Sequence, residues 1–381
     1  MRDGWQTVKL VDACEVYQPK TISKKEMLPD AEFVVFGANG IIGRYDKFNH
    51  EEPQVLVTCR GATCGSINVS EPYAWITGNA MVIRPKADEF SKRYLEYYLR
   101  GAVDFTTVIT GAAQPQITRQ SLASVDFSFP PLAEQQRIVA LLDQAFEGID
   151  QAIANTEQNL ASARELFDSY LNNIFTQRGD GWVEKKLGEV GTASYGYTAK
   201  ATSEEVGPKF LRITDIQNGK VDWATVPYCP ISESDKKKHL LKTNDIVFAR
   251  TGATTGKSYM LDEPPESVAA SYLIKLHITS DELLPHFVYL FFQTRDYWDR
   301  ISKGTTGSAQ GGFNASKLSN LVIPIPSKSE QQTAIAQSRA LEEQTQQLEA
   351  RYTQKLEDLK ELKQSLLQKA FAGELTKEAV A

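Results

Sequence analysis

The chain is short of the residues that most often announce chemistry. It has four cysteines and four histidines in 381 residues. Cys14, Cys59, Cys64 and Cys229 lack metal-ligand spacing; they read as ordinary thiols of a reducing compartment. His50, His239, His277 and His286 share no ligand spacing with one another or with the cysteines. No apolar run approaches the ~20 residues of a membrane span, and no signal-peptide pattern precedes Gly4-Trp5. The expectation is a cytoplasmic protein with neither metal nor membrane.

Proline is missing from two long stretches and glycine nearly so, and that absence organises the chain. Between Leu132 and Gln177 there is no proline, and Gly148 is the sole glycine. Leu142, Phe146, Ile149, Ile153, Thr156, Leu160, Ala163, Phe167, Tyr170 and Ile174 recur at alternating steps of four and three. That is a coiled-coil seam on a helix roughly 70 Å long, which needs a partner to bury it. The partner lies between Glu330 and Ala372, where Leu341, Thr345, Leu348, Tyr352, Leu359, Leu362 and Leu366 follow the same alternation. Lys355 occupies one slot with Leu356 beside it, and Ser327 with Glu330 forms a capping box.

The rest of the chain is duplicated around these helices. Gly4-Trp5 recurs as Gly181-Trp182, and Glu134-Gln135-Gln136 as Glu330-Gln331-Gln332. Arg60-Gly-Ala-Thr63 recurs as Arg250-Thr-Gly-Ala-Thr254, and Thr110-Gly-Ala-Ala-Gln114 as Thr306-Gly-Ser-Ala-Gln310. A repeat this long is a domain duplication. The expected class is α+β, with two mixed α/β domains and two long helices pairing as an antiparallel coiled coil. The boundaries are 1–131, 132–178, 179–326 and 327–376. Strands are expected at Glu32–Phe36, Gln54–Cys59, Ala74–Thr77 and Met81–Arg84, then a helix at Ser91–Arg100. The second copy should show strands at Lys209–Ile216, Asp245–Ala249 and Ala270–Leu276, a helix at Pro285–Arg300 and a loop at Ser302–Asn314.

The net charge is -6, and it is unevenly spread. Residues 132–177 carry 2 basic and 7 acidic side chains, so the first helix does not face phosphates. The globular stretches are near neutral.

Two glycine motifs invite an enzymatic reading and fail it. Gly252-Ala-Thr-Thr-Gly256-Lys257-Ser258 has three residues between its glycines where a P-loop has four, and Pro264-Pro265 follows where a helix should. Phe36-Gly-Ala-Asn-Gly40 resembles a methyltransferase glycine loop, but Ile41–Arg44 reads as strand and turn. No carboxylate pair recurs in both halves, and no base is marked for Ser271 or Thr254. What recurs is loop chemistry: Arg60, Thr63 and Ser66 match Arg250, Thr254 and Lys257, and Thr110 and Gln114 match Thr306 and Gln310. Such side chains read base edges or hold phosphates. The same runs also read as turns that only shape the fold.

In combination these motifs resemble the specificity subunit of type I restriction–modification systems. The resemblance rests on Gly111-Ala-Ala-Gln114, on Pro130-Pro-Leu-Ala-Glu-Gln-Gln-Arg-Ile138 and on Leu211-Arg-Ile-Thr-Asp-Ile216. Ala249–Lys257, Ile323–Gln332 and Lys369-Ala-Phe-Ala-Gly-Glu-Leu375 extend it over the whole chain. One departure is Gln310-Gly-Gly-Phe313 where the first half has Gln114-Pro-Gln-Ile117.

The resemblance implies two target-recognition domains, each reading half of a split asymmetric site in double-stranded DNA. It implies helices that act as a ruler and dock two methyltransferase (modification) subunits and the restriction subunits. S-adenosylmethionine, ATP and Mg would belong to those partners, with none in this chain. The candidate DNA contacts are Arg44, Tyr45, Arg60, Thr63, Ser66, Thr110, Gln114 and Gln116 in the first half. In the second they are Tyr195, Tyr197, Arg212, Thr214, Arg250, Thr254, Lys257, Thr306, Gln310 and Asn314. The competing readings are a coiled-coil scaffold for proteins and a self-contained methyltransferase or nuclease.

Overall fold

A computed structural model describes residues 4–375, except 88, 112–113, 218 and 306–312. The chain forms two compact units, residues 1–157 with 354–381, and residues 158–353. Each long helix therefore contributes to both.

The first unit is built on a four-stranded antiparallel sheet. Its order is Cys14–Tyr17, Ala80–Pro85, Val55–Thr58, Ile67–Val69. Successive side chains of a strand point to opposite faces. Val55, Val57, Met81 and Ile83 accordingly enter the main core with Tyr94, Leu95, Phe127 and Phe129. Leu56, Val82 and Ala80 face a smaller core with Val34, Phe36, Ala74 and Ile76. Strands Phe33–Phe36 and Ile41–Tyr45 make an antiparallel hairpin, joined by Trp75–Ile76 in parallel. Helix Lys92–Gly101 covers the main core and starts at Ser91, whose hydroxyl accepts from Tyr94 N at 3.0 Å.

The second unit repeats this plan with Gly191–Tyr195, Leu273–Ile278, Ile246–Ala249 and Ser258–Met260. Ile246, Phe248, Ile274 and Leu276 face one core, and Val247, Ala249 and Leu273 the other. Three expectations need correction here. The strand at Lys209–Ile216 stops at Leu211, because Asp215 accepts from Arg212 N at 2.8 Å and folds Ile213–Asp215 into a 3-10 turn. The strand at Ala270–Leu276 begins at Leu273; Ser267–Ala269 is a separate strand parallel to Lys209–Leu211. The helix at Pro285–Arg300 is two, Pro285–Phe291 and Arg295–Thr305. Thr294 breaks it: its hydroxyl donates to Phe291 O at 2.7 Å and accepts from Tyr297 N at 3.3 Å. The loop expected at Ser302–Asn314 thus begins as helix and otherwise falls largely outside the described residues.

The long helices run Leu132–Thr176 and Lys328–Ala372. In the second unit Arg164 pairs with Glu349 at 2.8 Å and Tyr170 with Gln337 at 2.7 Å, so the two run antiparallel there. In the first unit Leu142, Phe146 and Ile149 bury against Leu359, Leu366, Leu367 and Ala370. The seam of the second helix differs from expectation. Leu348 and Leu362 are exposed, and the neighbouring Glu349 and Lys363 turn inward to meet Arg164 and Asp150. Lys355 is exposed and Leu356 takes its slot. Apolar spacing alone does not reveal that long charged side chains, here Glu349 and Lys363, occupy inward slots of the seam.

Each long helix starts with a buried amide. Gln135 accepts from Ser91 N at 3.1 Å and donates to Glu89 O and Pro130 O at 2.8 and 2.9 Å. Gln331 accepts from Leu284 N at 2.8 Å and donates to Glu282 O and Pro326 O at 2.8 and 3.0 Å. Both are fully buried. No described helix is long and apolar enough to cross a membrane.

Candidate nucleic-acid interface

Both units carry the same tight turn at the end of the central strand. In the first, Thr58 N donates to Ser66 O, Gly65 N to Thr58 O, Cys64 N to Gly61 O and Ser66 N to Thr63 O, at 2.8–3.0 Å. In the second, Ala249 N donates to Lys257 O, Gly256 N to Ala249 O, Thr255 N to Gly252 O and Lys257 N to Thr254 O, at 2.8–3.1 Å. Gly61 and Gly65 have φ of +89° and +92°, and Gly252 and Gly256 +76° and +94°. A side chain is strained in that region, which accounts for the recurrent glycines. The P-loop-like run is therefore a 3-10 turn leading into strand Ser258–Met260. Likewise Gly37–Gly40 closes a hairpin, with no helix after it.

The shared hydrogen bonds fix a register that sequence matching misses by one residue. Thr63 stands opposite Thr254 and Ser66 opposite Lys257, but Arg250 stands opposite the fully buried Cys59, and Arg60 opposite Thr251. The returning chain agrees: Ile117 N donates to Cys59 O at 3.0 Å, and Phe313 N to Arg250 O at 2.9 Å. The two arginines recur in type without sharing a place.

In the first unit two expected loops meet. Arg60 and Thr110 each form a β-bridge with Gln116, and Gly61 N donates to Pro115 O at 3.3 Å. Arg60, Thr63, Thr110, Gln114 and Gln116 are exposed, and Ser66 is half-buried. The Arg60 guanidinium makes no hydrogen bond or ion pair among the described residues. The hairpin tip lies against the same turn, with Thr58 Oγ1 donating to Ala38 O and Asn68 Nδ2 to Asn39 Oδ1 at 2.9 Å. Ile41 and Ile42 at that tip are about half exposed, and sequence reasoning passed over them. Arg44 is occupied differently, bracing the carbonyls of Ala31 and Glu32 at 3.2 and 2.8 Å. Tyr45 packs edge-on against Trp75.

In the second unit the Arg250 guanidinium lies 4.9 Å over the Tyr195 ring, whose hydroxyl accepts from Ala315 N at 3.3 Å. Its backbone N donates at 3.2 Å to Tyr272 O, and Tyr272 is 64% exposed, a second surface residue that sequence reasoning missed. Tyr197 bridges to Ala270 and tilts against His239. Arg212 is committed to Asp215 through two hydrogen bonds of 3.0 and 2.6 Å, which push its guanidinium pKa further up. Thr214, Thr254 and Lys257 line one cavity of about 570 Å³. Asn314 caps the helical turn Ala315–Ser319, accepting from Lys317 N at 2.8 Å. Thr306 and Gln310 lie outside the described residues.

Burial raises the Cys14 thiol pKa to about 12 and that of Cys229 to about 11, so neither is a poised nucleophile. Among the described residues no group of three or more His, Cys, Asp or Glu is placed to hold a metal ion.

The type I restriction modification DNA specificity domain matches residues 2–160 and 179–358. The chain is 25% identical over 389 residues to the EcoKI specificity subunit of Escherichia coli K12, covering 95% of this chain and 78% of that one. It is 22% identical over 375 residues to the MjaVIII specificity subunit of Methanocaldococcus jannaschii, covering 89% and 86%. A chain solved in work on complex assembly and conformational transition of the type I R-M system aligns over 98% of this chain and 99% of its own. Its TM-score is 0.76 and its identity 18%. The HsdS subunit from Thermoanaerobacter tengcongensis gives 0.59 at 18% identity, over 98% of both chains. At such identity the structural likeness speaks for the fold.

Proposed function

The chain belongs to the type I restriction–modification DNA specificity family, and on that premise we propose that it is the subunit that reads DNA sequence for a methyltransferase–endonuclease assembly. Residues 1–131 and 179–326 act as two readers, each taking one half of a bipartite asymmetric site in double-stranded DNA. Residues 132–178 and 327–376 form the helical spacer and dock two modification subunits and the restriction subunits. The chain contributes recognition and no bond-making step. Methyl transfer from S-adenosylmethionine and ATP-dependent cleavage belong to the partners.

The observation that carries this reading is the duplicated turn. It offers hydrogen-bonding side chains at matched positions, the exposed Thr63 with the half-buried Thr254 and the half-buried Ser66 with the exposed Lys257, on a shared glycine framework. Arginine and glutamine, present at Arg60 and Gln116, make bidentate contacts to guanine and adenine edges in the major groove. Lysine and threonine suit phosphates, which position without specifying.

The assembled enzyme tests the reading. Methylation mapping of a host expressing this chain with its modification subunit should give one bipartite motif. Arg60→Ala should relax or weaken only one of its halves, and Lys257→Ala only the other. Methylation of the same motif without this chain would refute the reading.

A further inference from the structure

The cavity of about 570 Å³ in the second unit has the size of a small-ligand site. One wall is Trp298, 39% exposed, with its ring edge 2.9 Å from where a Cβ on Gly256 would lie. The indole is thus held at one edge, meets the Tyr297 ring in a T-shaped contact at 5.5 Å, and keeps the rest of its exposed surface toward the cavity and solvent. Lys257 is the only formally charged residue among those lining the cavity. Its backbone is fixed by the turn, while its ammonium has no partner among the described residues. Two amides complete the lining. Gln217 Nε2 donates to Thr214 O at 2.7 Å, leaving its Oε1 available, and the Gln293 amide is unengaged among the described residues.

The first unit provides an internal contrast. The same turn there borders a cavity of about 660 Å³. Ser66 replaces Lys257, and Phe105 packs on Gly65 where Trp298 packs on Gly256. Its charges are matched: Arg93 meets Asp143 and Glu96, Arg100 meets Glu96, and Lys363 meets Asp150. Nothing there offers both a free cation and an accessible indole.

A fixed aromatic plane, one uncompensated cation and two amides suit a ligand with a flat heteroaromatic ring, polar ring edges and one anionic group. We propose that this cavity binds a single nucleotide, its base stacked on Trp298, its phosphate held by Lys257 and its base edge met by Gln217 and Gln293. The inference rests on the DNA-reading assignment only for the source of the nucleotide. That source is either a nucleotide swung out of a bound duplex or a free mononucleotide, and the recognition chemistry is the same.

The test uses the full chain with the four deoxynucleoside 5′-monophosphates, the matching deoxynucleosides, and a hairpin duplex with or without one bulged adenosine. Each monophosphate should quench tryptophan fluorescence saturably, and Trp298→Phe should remove that quenching while the other four tryptophans remain. Lys257→Met should weaken the monophosphates by about tenfold and leave the deoxynucleosides unchanged. Lys257→Met keeps side-chain length and Trp298→Phe keeps an aromatic ring, and matching thermal melts would confirm that the variants fold. Tighter binding of the bulged than of the paired duplex, read from the quenching that Trp298→Phe removes, identifies DNA as the source. Monophosphate binding without that preference identifies a free nucleotide. No saturable quenching of the wild-type chain by any probe overturns the proposal, as does equal binding of monophosphates and deoxynucleosides. Site-specific methylation by the assembled enzyme is scored separately: its persistence without nucleotide binding sinks this inference alone, and its absence sinks the reader assignment.

Discussion

The two units agree where backbone is buried and part where it is not. In each, a short strand pairs in parallel with a partner, Phe36 beside Ile76 and Leu211 beside Ala269. After Phe36 the chain reverses through Gly37–Gly40 and pairs back on itself. After Leu211 it enters a 3-10 turn and then a separate hairpin, Ile216–Gln217 with Lys220–Val221. The segment downstream of the shared strand is the one that differs, and in the second unit it walls the cavity beside the turn. In the first unit it becomes a hairpin tip that exposes Ile41 and Ile42. A duplicated reader can diverge in what it recognises only if its variable segments hang from a framework that does not move. The matched turns and the matched buried amides are that framework.

The amides give the strongest test of the matching. Gln135→Leu and Gln331→Leu each leave two carbonyls and one N–H without their buried partner, at a cost of roughly 3 kcal/mol. Urea denaturation of the full chain would measure both. Comparable losses support equivalent locks; a large loss at one site beside less than ~0.5 kcal/mol at the other would break the correspondence.

The turn glycines come next. At Gly65 and Gly256 an added Cβ would lie 2.9 Å from Phe105, or from Trp298 and Ile301, in a backbone with positive φ. Alanine there should cost about 1–3 kcal/mol. Gly61 has the same sign of φ but open space around it, so Gly61→Ala should cost about 1 kcal/mol or less. Equal costs at Gly61 and Gly65 would mean that the turn is not seated on Phe105.

The arginines sharpen the comparison at the level of binding. Arg60 is free among the described residues, whereas Arg250 is stacked on Tyr195. If Arg60 reads a guanine bidentately, Arg60→Ala should cost the assembled enzyme about 1–3 kcal/mol at one base position. Arg250→Ala should cost less in DNA binding, because part of its role is to hold Tyr195. Tyr195→Phe, which keeps the stack, should then be nearly silent. Competition titrations against single-base variants of the mapped site would separate these outcomes. A larger loss for Arg250→Ala would assign that guanidinium directly to DNA.

The duplication and both long helices were legible in the sequence, because a period of seven and a repeated Pro–Glu–Gln–Gln entry survive as plain text. The P-loop-like run could be rejected from spacing alone. What spacing could not supply was register. Arg60 and Arg250 look equivalent until the hydrogen bonds place Arg250 opposite Cys59. Nor could it show how candidate side chains are engaged within the chain: Asn314 caps a helical turn and Arg212 pairs with Asp215. Gln135 and Gln331 were visible as repeats but not as locks, since a glutamine in sequence looks solvent-bound until its three partners are known.

The smallest expected effect is a pH dependence that compares one histidine in each unit. His50 is buried between Tyr17 and Asn49. Asn49 donates Nδ2 to Ile76 O and accepts Ile76 N on Oδ1, so its oxygen faces His50 Nδ1, which must donate. Neutral imidazole then accepts at Nε2 from the Tyr17 hydroxyl. Burial first, and the Arg84 guanidinium second, hold the His50 pKa below its ordinary value of 6.5. His286 is lowered for the same first reason, with Arg339 second, but it has no such hydrogen-bonded cradle among the described residues. The sign follows from proton uptake. Well above pH 6.5 both folded and unfolded chains hold neutral rings and the histidines contribute no slope. As pH falls through that value the unfolded ring protonates first, so stability drops until the folded ring also charges. Each loss should be smaller than those of the amide and glycine variants. Urea midpoints at pH 7.5 and pH 5.0 would measure it, and His50→Gln and His286→Gln should each flatten part of the wild-type difference. Hydrogen bonds to the neutral ring penalise the imidazolium in addition to burial, so the His50 variant should flatten it more. An unchanged pH difference in His50→Gln would show that the cradle accommodates imidazolium, with the Tyr17 hydroxyl turning from donor to acceptor.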